Sequence, residues 1–434
     1  MHGKSAMTRR SFIKAAGGAL AAGAALKGAP AIGGIGANEK IGLGFIGVGA
    51  RGTDHLRGFM KMDDVNIVAV ADCSRSKRDA AVAKVKNSKV QAFEDYRKLL
   101  DLKDVDAVVV ATPDHWHVIP SIHACQAGKD VYVEKPIGQN VREGRALVKA
   151  ARKYDRVVQL GVQQRSGPTW IEAVDMIKSG KLGKVSLVRT WNCWDLKSIH
   201  ADMGNPPDQP TPPAGVDYDL WLGPAPKRPF NPRHFDFYFY YFWNYSGGML
   251  SAWGVHLFDV VTWAMGPTIN SVTTIGGKLV FKDARDTPDT AAILFECPNY
   301  VFTYEVRHGN GKDPFGGMDH GIEFYGTQGT IWINRNGYTF FPESDRNNPK
   351  QVPDRGLDQE HRRNWLDCVR SRQRPNADIE LGHLGCIPGF LGNISYRVGR
   401  RIKWDGEKET IPGDREADNL LGREYREPYV LPRV

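Results

Sequence analysis

In Ile41-Gly42-Leu43-Gly44-Phe45-Ile46-Gly47-Val48-Gly49-Ala50-Arg51-Gly52 a strand pattern runs directly into a glycine loop. The first six residues are apolar or glycine throughout and read as a buried strand. The next six spell G-x-G-x-x-G, and residues 53–62 continue with helical spacing. A second apolar run, 65–71, ends on Asp72, twenty residues beyond Gly52. Glycines let the main chain approach a pyrophosphate, a helix N-terminus stabilises that charge, and an acid ending the second strand accepts ribose hydroxyls. The combination predicts a dinucleotide site on Gly47, Gly49, Arg51, Gly52 and Asp72. A carboxylate at 72 favours NAD, because a 2′-phosphate would meet like charge; Ser74 and Arg75 keep NADP as an alternative.

The alternation continues through strand patterns at 90–93, 106–111, 131–133 and 157–161, with helix patterns between them. This predicts an α/β fold opening with a doubly wound parallel Rossmann sheet of six strands over residues 38–165. Two polar clusters follow strand ends, Thr112-Pro113-Asp114-His115-Trp116-His117 and Glu134-Lys135-Pro136. Both belong at the carboxyl edge of the sheet, where ligands bind. Thr112, Pro113, His117, Glu134 and Lys135 are therefore candidate cofactor contacts, and Trp116 is a candidate to pack against a nicotinamide or substrate. His115 and His117 have a second reading, as capping and packing residues of the turn. Gln163, Gln164 and Arg165 follow the last strand, with amides suited to sugar hydroxyls or to hinge hydrogen bonds.

Residues 1–37 read as an export segment instead of fold. Arg9-Arg10 with Phe12, an Ala/Gly-rich run and Ala29-Pro30-Ala31 match a twin-arginine signal, which implies a periplasmic protein. The run is too short and weakly apolar for a confident membrane span. Removing residues 1–31, with five bases and no acids, leaves 53 bases against 49 acids and cuts the net charge from +9 to +4. That charge gives no basis for a nucleic-acid partner. None of the six cysteines lies in a C-x-x-C pair or at zinc-like spacing, so buried thiols are expected and no metal site is predicted.

Residues 166–434 predict a second α/β domain. Helix patterns fall at 170–178 and after Gly254, strand patterns at 185–192, 271–275, 290–296, 301–307, 321–326 and 330–334, and a helix at 361–371 is expected to pack back on the first domain. Residues 204–232 are proline-rich, yet Tyr218, Trp221 and Leu222 give them packing anchors, so they read as an ordered loop. The aromatic stretch 235–245 reads as part buried strand, part cleft wall, and the tryptophans between Trp191 and Trp263 suit a sugar site.

With these elements placed, the chain resembles the Gfo/Idh/MocA oxidoreductases, the group of glucose–fructose oxidoreductase and inositol dehydrogenase, and most of all an exported branch with Asp114-His115-Trp116-His117. The resemblance rests on the glycine loop with Asp72, Ala111-Thr112-Pro113 to His117, Glu134-Lys135-Pro136, Ser179-Gly180-Lys181-Leu182-Gly183, Gly247-Gly248-Met249-Leu250 with His256, and the tail from His361 to Glu380. It implies a C-terminal domain with an open, mostly antiparallel sheet whose outer face supports homo-oligomers. It also implies a carbohydrate substrate between the domains, with Lys135 beside the reacting carbon and His256 as catalytic histidine. The chain departs from the pattern at Ala252, where inositol dehydrogenases carry an aspartate. Asp259, one turn after His256, could substitute, although a helix-surface or capping role is the favoured reading of it, and together with Gln163 and Arg165 it is a candidate substrate contact.

Oxidation of a hydroxyl needs a hydride acceptor, a base and a cation near the developing alkoxide. NAD, His256 and Lys135 fill these parts, with Glu134 positioning the lysine or the cofactor. An exported enzyme meets no free NAD pool, so a tightly held cofactor and a redox-balanced cycle are expected. A NAD-dependent glycoside hydrolase, working by transient C3 oxidation and elimination, is the alternative; a sugar-binding protein without turnover is the third.

Overall fold

The computed structural model describes residues 39–85, 89–311 and 318–434. The export segment lies outside the described residues. Strands β1 (Ile41–Ile46), β2 (Val65–Ala71), β3 (Gln91–Phe93), β4 (Ala107–Val110), β5 (Asp130–Val133) and β6 (Val158–Leu160) form one parallel sheet in the order β3-β2-β1-β4-β5-β6. The order reverses beside β1, between β1 and β4, and this is the crevice to which the loops after β1, β4 and β5 belong. β1, β4 and β5 are buried along their whole length, as a sheet covered on both faces requires.

A second sheet holds nine strands in the order β14-β13-β12-β11-β7-β10-β9-β8-β15. Six of them match the sequence expectations: β7 (Val185–Trp194), β8 (Ser271–Gly277), β9 (Thr290–Glu296), β10 (Val301–His308), β11 (His320–Gly326) and β12 (Gly329–Asn334). β13 (Gly337–Pro342), β14 (Lys350–Pro353) and the two-residue β15 (Ile402–Lys403) were not anticipated. Among the ladders of this sheet, only β7 with β10 is parallel. One face is apolar and covered by the helices Val255–Met265 and Ile379–Val398. The other is open and carries the exposed side chains of Ile275, Leu294 and Val301.

The helix Ile379–Val398 also escaped the sequence reading, because Gly382, Gly385, Gly389, Gly392 and Pro388 argue against a helix on propensity alone. Those glycines are instead points of close approach. A Cβ on Gly385 would stand 2.4 Å from Asp259 Oδ1, and one on Gly392 2.5 Å from Ile293 Cδ1. The helix Asp358–Ser371 lies on the Rossmann domain, burying Trp365 against Phe59 and Tyr132 and pairing Arg362 with Asp54 and Arg363 with Asp64. The proline-rich loop is ordered and packs there too: Arg75 N donates to Gly215 O, and Asp217 N to Cys73 O.

The stretch 235–245 corrects one expectation. It contains no strand; Asp236–Tyr241 is a 3₁₀ helix. With three residues per turn, Phe237 and Tyr240 fall on one side, and both line the crevice. Aromatics of this stretch do wall a cleft, the one at the edge of the Rossmann sheet, from a 3₁₀ backbone instead of a strand.

Candidate active site

A cleft of about 490 Å³ runs along the carboxyl edge of the parallel sheet. Gly47, Gly49, Arg51, Asp72, Thr112, Pro113, Trp116, His117, Glu134 and Lys135 all line it, the wall opposite being Leu220, Trp221, Phe235 and the 3₁₀ aromatics. Gly52 lies just behind, where the loop closes on itself: a Cβ there would sit 2.0 Å from Gly47 O. A Cβ at Gly49 would meet nothing within 4 Å, so the loop leaves open the space a pyrophosphate needs. Asp72 is fixed by Val48 N on Oδ2 and Ser74 N on Oδ1, both at 2.9 Å. Thr112 Oγ1 is buried without a hydrogen-bond partner. An open glycine cradle, an oriented carboxylate and an orphaned hydroxyl fit a dinucleotide. Ser74 is buried with its hydroxyl on Ser76 Oγ, and Arg75 does not line the cleft, an arrangement that favours NAD over NADP.

Glu134 is the hub of the floor. Its Oε1 accepts from Arg51 Nε at 2.8 Å and His55 Nε2 at 2.6 Å, and its Oε2 from Lys135 N at 3.2 Å. Burial pushes this carboxyl up, but the Arg51 charge and the His55 hydrogen bond more than reverse that and hold it well below the usual range. His55 Nδ1 accepts from Arg362 Nε at 3.3 Å, so Nε2 carries the proton given to Glu134. Arg51 also binds Asp54 at 2.7 Å and Asp358 at 3.1 Å, tying the glycine-loop helix to the C-terminal part of the chain. His55, in the helix after the glycines, gave no sequence signal beyond its helical position.

His117 lines the cleft with both nitrogens occupied, Nδ1 by Pro136 O at 2.6 Å and Nε2 by Thr112 O at 2.9 Å. It joins the two strand-end loops, the packing role weighed for it. His115 Nε2 meets Trp221 O at 2.9 Å, and burial pulls its pKa down to about 3. Trp116 Nε1 donates to Leu220 O at 3.0 Å, anchoring the proline-rich loop over the cleft. Asp114, which the sequence gave no role, is buried beside Lys135; Ser246 Oγ donates to it at 2.5 Å, and burial raises its pKa.

Lys135 reaches across to the second domain. Its Nζ donates to Ala252 O at 2.9 Å and lies 5.5 Å from the Tyr240 ring centroid. Burial lowers its pKa against the pull of Glu134 and Asp114. The position where inositol dehydrogenases carry an aspartate thus serves here through its main chain. His256 is buried, four residues on, and neither ring nitrogen has a hydrogen-bond partner among the described residues, Nδ1 being fully enclosed. Burial, then the charges of Arg335 and Lys135, hold it well below its ordinary value. It stands as a neutral imidazole.

The structure places three predicted substrate contacts elsewhere. Arg165 and Asp259 form a buried bidentate ion pair with each other, Nε to both carboxylate oxygens at 2.9 Å, with the guanidinium over Trp263. Asp259 therefore faces Arg165, not His256, and takes no part in orienting the histidine. Gln163 is buried with Nε2 on Tyr132 Oη at 3.3 Å. None of the three lines the cleft, and neither does His256; the three differ from it in having their polar groups taken by one another or by the Rossmann core. The physical reason is the 3₁₀ turn Gln163–Ser166, which directs these side chains toward the helix Val255–Met265 and the Rossmann core.

A profile of the oxidoreductase family's NAD-binding Rossmann fold matches residues 41–162, and that of its C-terminal α/β domain residues 173–431. The chain belongs to the Gfo/Idh/MocA oxidoreductase family. Its N-terminal domain is an NAD-binding Rossmann domain. Inositol 2-dehydrogenase 2 of Saccharopolyspora erythraea is 25% identical over 263 residues, 60% of this chain and 64% of that one. Glycosyl hydrolase family 109 protein 1 of Shewanella sp. MR-4 is 30% identical over 154 residues, 34% of each chain. The matches thus span less than two thirds of these relatives. The scyllo-inositol dehydrogenase of Lactobacillus casei, crystallised with NAD(H) and scyllo-inositol, shares the fold with a TM-score of 0.60 at 18% identity, covering 84% of this chain and 99% of that one.

Proposed function

We propose that this oxidoreductase acts on a hydroxyl of a sugar or sugar derivative with NAD held tightly in the Rossmann cleft. The observation that carries the reading is the meeting of Lys135 from one domain with Ala252 O and the segment bearing His256 from the other. The glycine loop, Asp72 and Thr112 would hold NAD, which supplies a hydride acceptor when bound. The chain's own residues supply the rest. His256, neutral and without a partner, takes the hydroxyl proton, and the Lys135 ammonium stabilises the alkoxide that develops on the same oxygen. Lys135 is released for this by exchanging its bond to Ala252 O for one to substrate. Trp253 and Trp194, 6.2 Å apart and edge to face, offer aromatic surface for a sugar ring.

The same proposal includes export by the twin-arginine route to the periplasm, and homo-oligomers formed through the open sheet face at Ile275, Leu294 and Val301. A second reading, NAD-dependent glycoside hydrolysis, is supported by the 30% identity with the family 109 protein. There the electrons removed at C3 return to the same sugar after elimination and addition of water, so no net oxidant is consumed. The test is to purify the exported protein, identify the dinucleotide released on denaturation, and incubate the holoprotein with free sugars and with p-nitrophenyl glycosides. Formation of NADH with a free sugar supports the dehydrogenase; aglycone release without added NAD supports the hydrolase. A Lys135→Ala protein as active as the parent would sink both.

A further inference from the structure

The hairpin turn between β12 and β13 carries Arg335, a half-buried guanidinium that makes no hydrogen bond or ion pair among the described residues, its Nε fully enclosed. Arg51, whose charge it feels, is neutralised by Glu134, Asp54 and Asp358. Arg335 is instead held by an aromatic ring, with Cζ 5.3 Å from the Trp253 centroid. Two histidines crowd the same indole, His256 at 5.4 Å and His320 at 5.0 Å, centroid to centroid. His320 has Nδ1 on Asp319 at 2.6 Å and Nε2 enclosed without a partner. Ala252, which receives Lys135, is the residue before Trp253. An unpaired guanidinium is thus stationed one indole away from the catalytic histidine.

Taking a guanidinium out of water without an anion is unfavourable, and no acid among the described residues pairs with it. The acids whose charges reach it are committed, Asp358 and Glu134 to Arg51 and Asp319 to His320. A guanidinium supported by an indole keeps its in-plane N–H groups free, and that edge matches a carboxylate in a bidentate pair. We infer that the substrate is a sugar acid, such as a uronic acid, whose carboxylate pairs with Arg335. This rests on the proposed oxidation at Lys135 and His256 and adds the substrate class. One flat cation suits a single negative charge; a phosphate's second charge would have to draw Lys135 from the reacting oxygen. A bound carboxylate has a further effect. After burial, the Arg335 charge weighs most on His256, so cancelling it strengthens the base when the acidic substrate is seated.

The experiment compares the holoprotein as purified with its Arg335→Gln and Arg335→Lys variants. Hexuronates, the matching neutral hexoses and hexose phosphates are offered in turn, with kcat/KM measured by cofactor reduction and affinity by calorimetry. The parent is expected to favour hexuronates over hexoses by about 100-fold or more, a preference that Arg335→Gln erases and Arg335→Lys restores in part. Equal preference ratios in parent and Arg335→Gln, or a preference for phosphates, would overturn the inference. Turnover of hexoses without any advantage to hexuronates sinks the inference and leaves the oxidoreductase reading standing. Arg335-dependent hexuronate binding without turnover of any sugar does the reverse. If nothing binds or reacts, both fall.

Discussion

The NAD cleft and the face around Trp253 meet at Lys135 but are finished to different degrees. In the cleft, Glu134 is bound by Arg51 and His55, His117 has both nitrogens occupied, and Trp116 donates to Leu220 O, while Thr112 Oγ1 is left open for the dinucleotide. Around Trp253, among the described residues, Arg335 is unpaired, and His256 and His320 each enclose a nitrogen without a partner. A group whose hydrogen bonds are complete holds its geometry before any ligand arrives. A group left without partners is one whose energy changes when a ligand comes. The difference suits the first region to holding a cofactor and is what the proposed reading requires of the second, where a substrate would be met.

The largest test of this contrast is Lys135→Ala, which is expected to lower kcat by about 10³-fold while the released dinucleotide stays at one per chain. Loss of the dinucleotide instead would make Lys135 part of the cofactor's hold. Next comes the ion pair that sequence reasoning placed at the substrate. Asp259→Ala strands a buried guanidinium, and urea unfolding is expected to show a loss of about 3–5 kcal/mol, with KM for sugar unchanged in the folded fraction. A raised KM at full stability would return Asp259 to the site.

Glu134 gives a smaller, pH-dependent effect. Its folded pKa lies below the ordinary 4.5, so its contribution is complete above that value and drains away as the pH falls through the folded one. Glu134→Gln is therefore expected to lose stability at neutral pH and to show a shallower fall in stability below pH 4.5 than the parent, read from denaturant midpoints across that range. The smallest effect falls on His256. Held below 6.5, it places the acid limb of kcat/KM for a neutral sugar beneath that pH. Removing one contributing charge by Arg335→Gln raises that limb. An unmoved limb would separate Arg335 from the histidine.

The Rossmann half was legible because its signals are local. Strand, glycines, helix and acid fall within about thirty residues, and Gly47, Gly52 and Asp72 each owe their identity to a backbone need that shows in one position. The face around Trp253, the proposed substrate face, was not legible for the opposite reason. Trp253, His320 and Arg335 stand on a helix end, a strand and a hairpin turn, far apart in sequence, and only the sheet order brings them to one indole. His55 was hidden as one polar residue on an amphipathic helix. Arg165 and Asp259 look like site residues by type, but a fully buried pair satisfies itself, and nothing in either residue's neighbours reveals that the partner is ninety-four positions away. The helix Ile379–Val398 was obscured by glycines that serve as clearance for its neighbours.

The contact between Lys135 and Ala252 is made by a carbonyl oxygen that every amino acid possesses. An alignment column at 252 therefore carries no imprint of it, and a saturation library there would score nothing but tolerance of bulk. The lysine's dock has to be probed by atom and not by residue, for instance by an amide-to-ester exchange that weakens this one acceptor while leaving the side chain at 252 a methyl group.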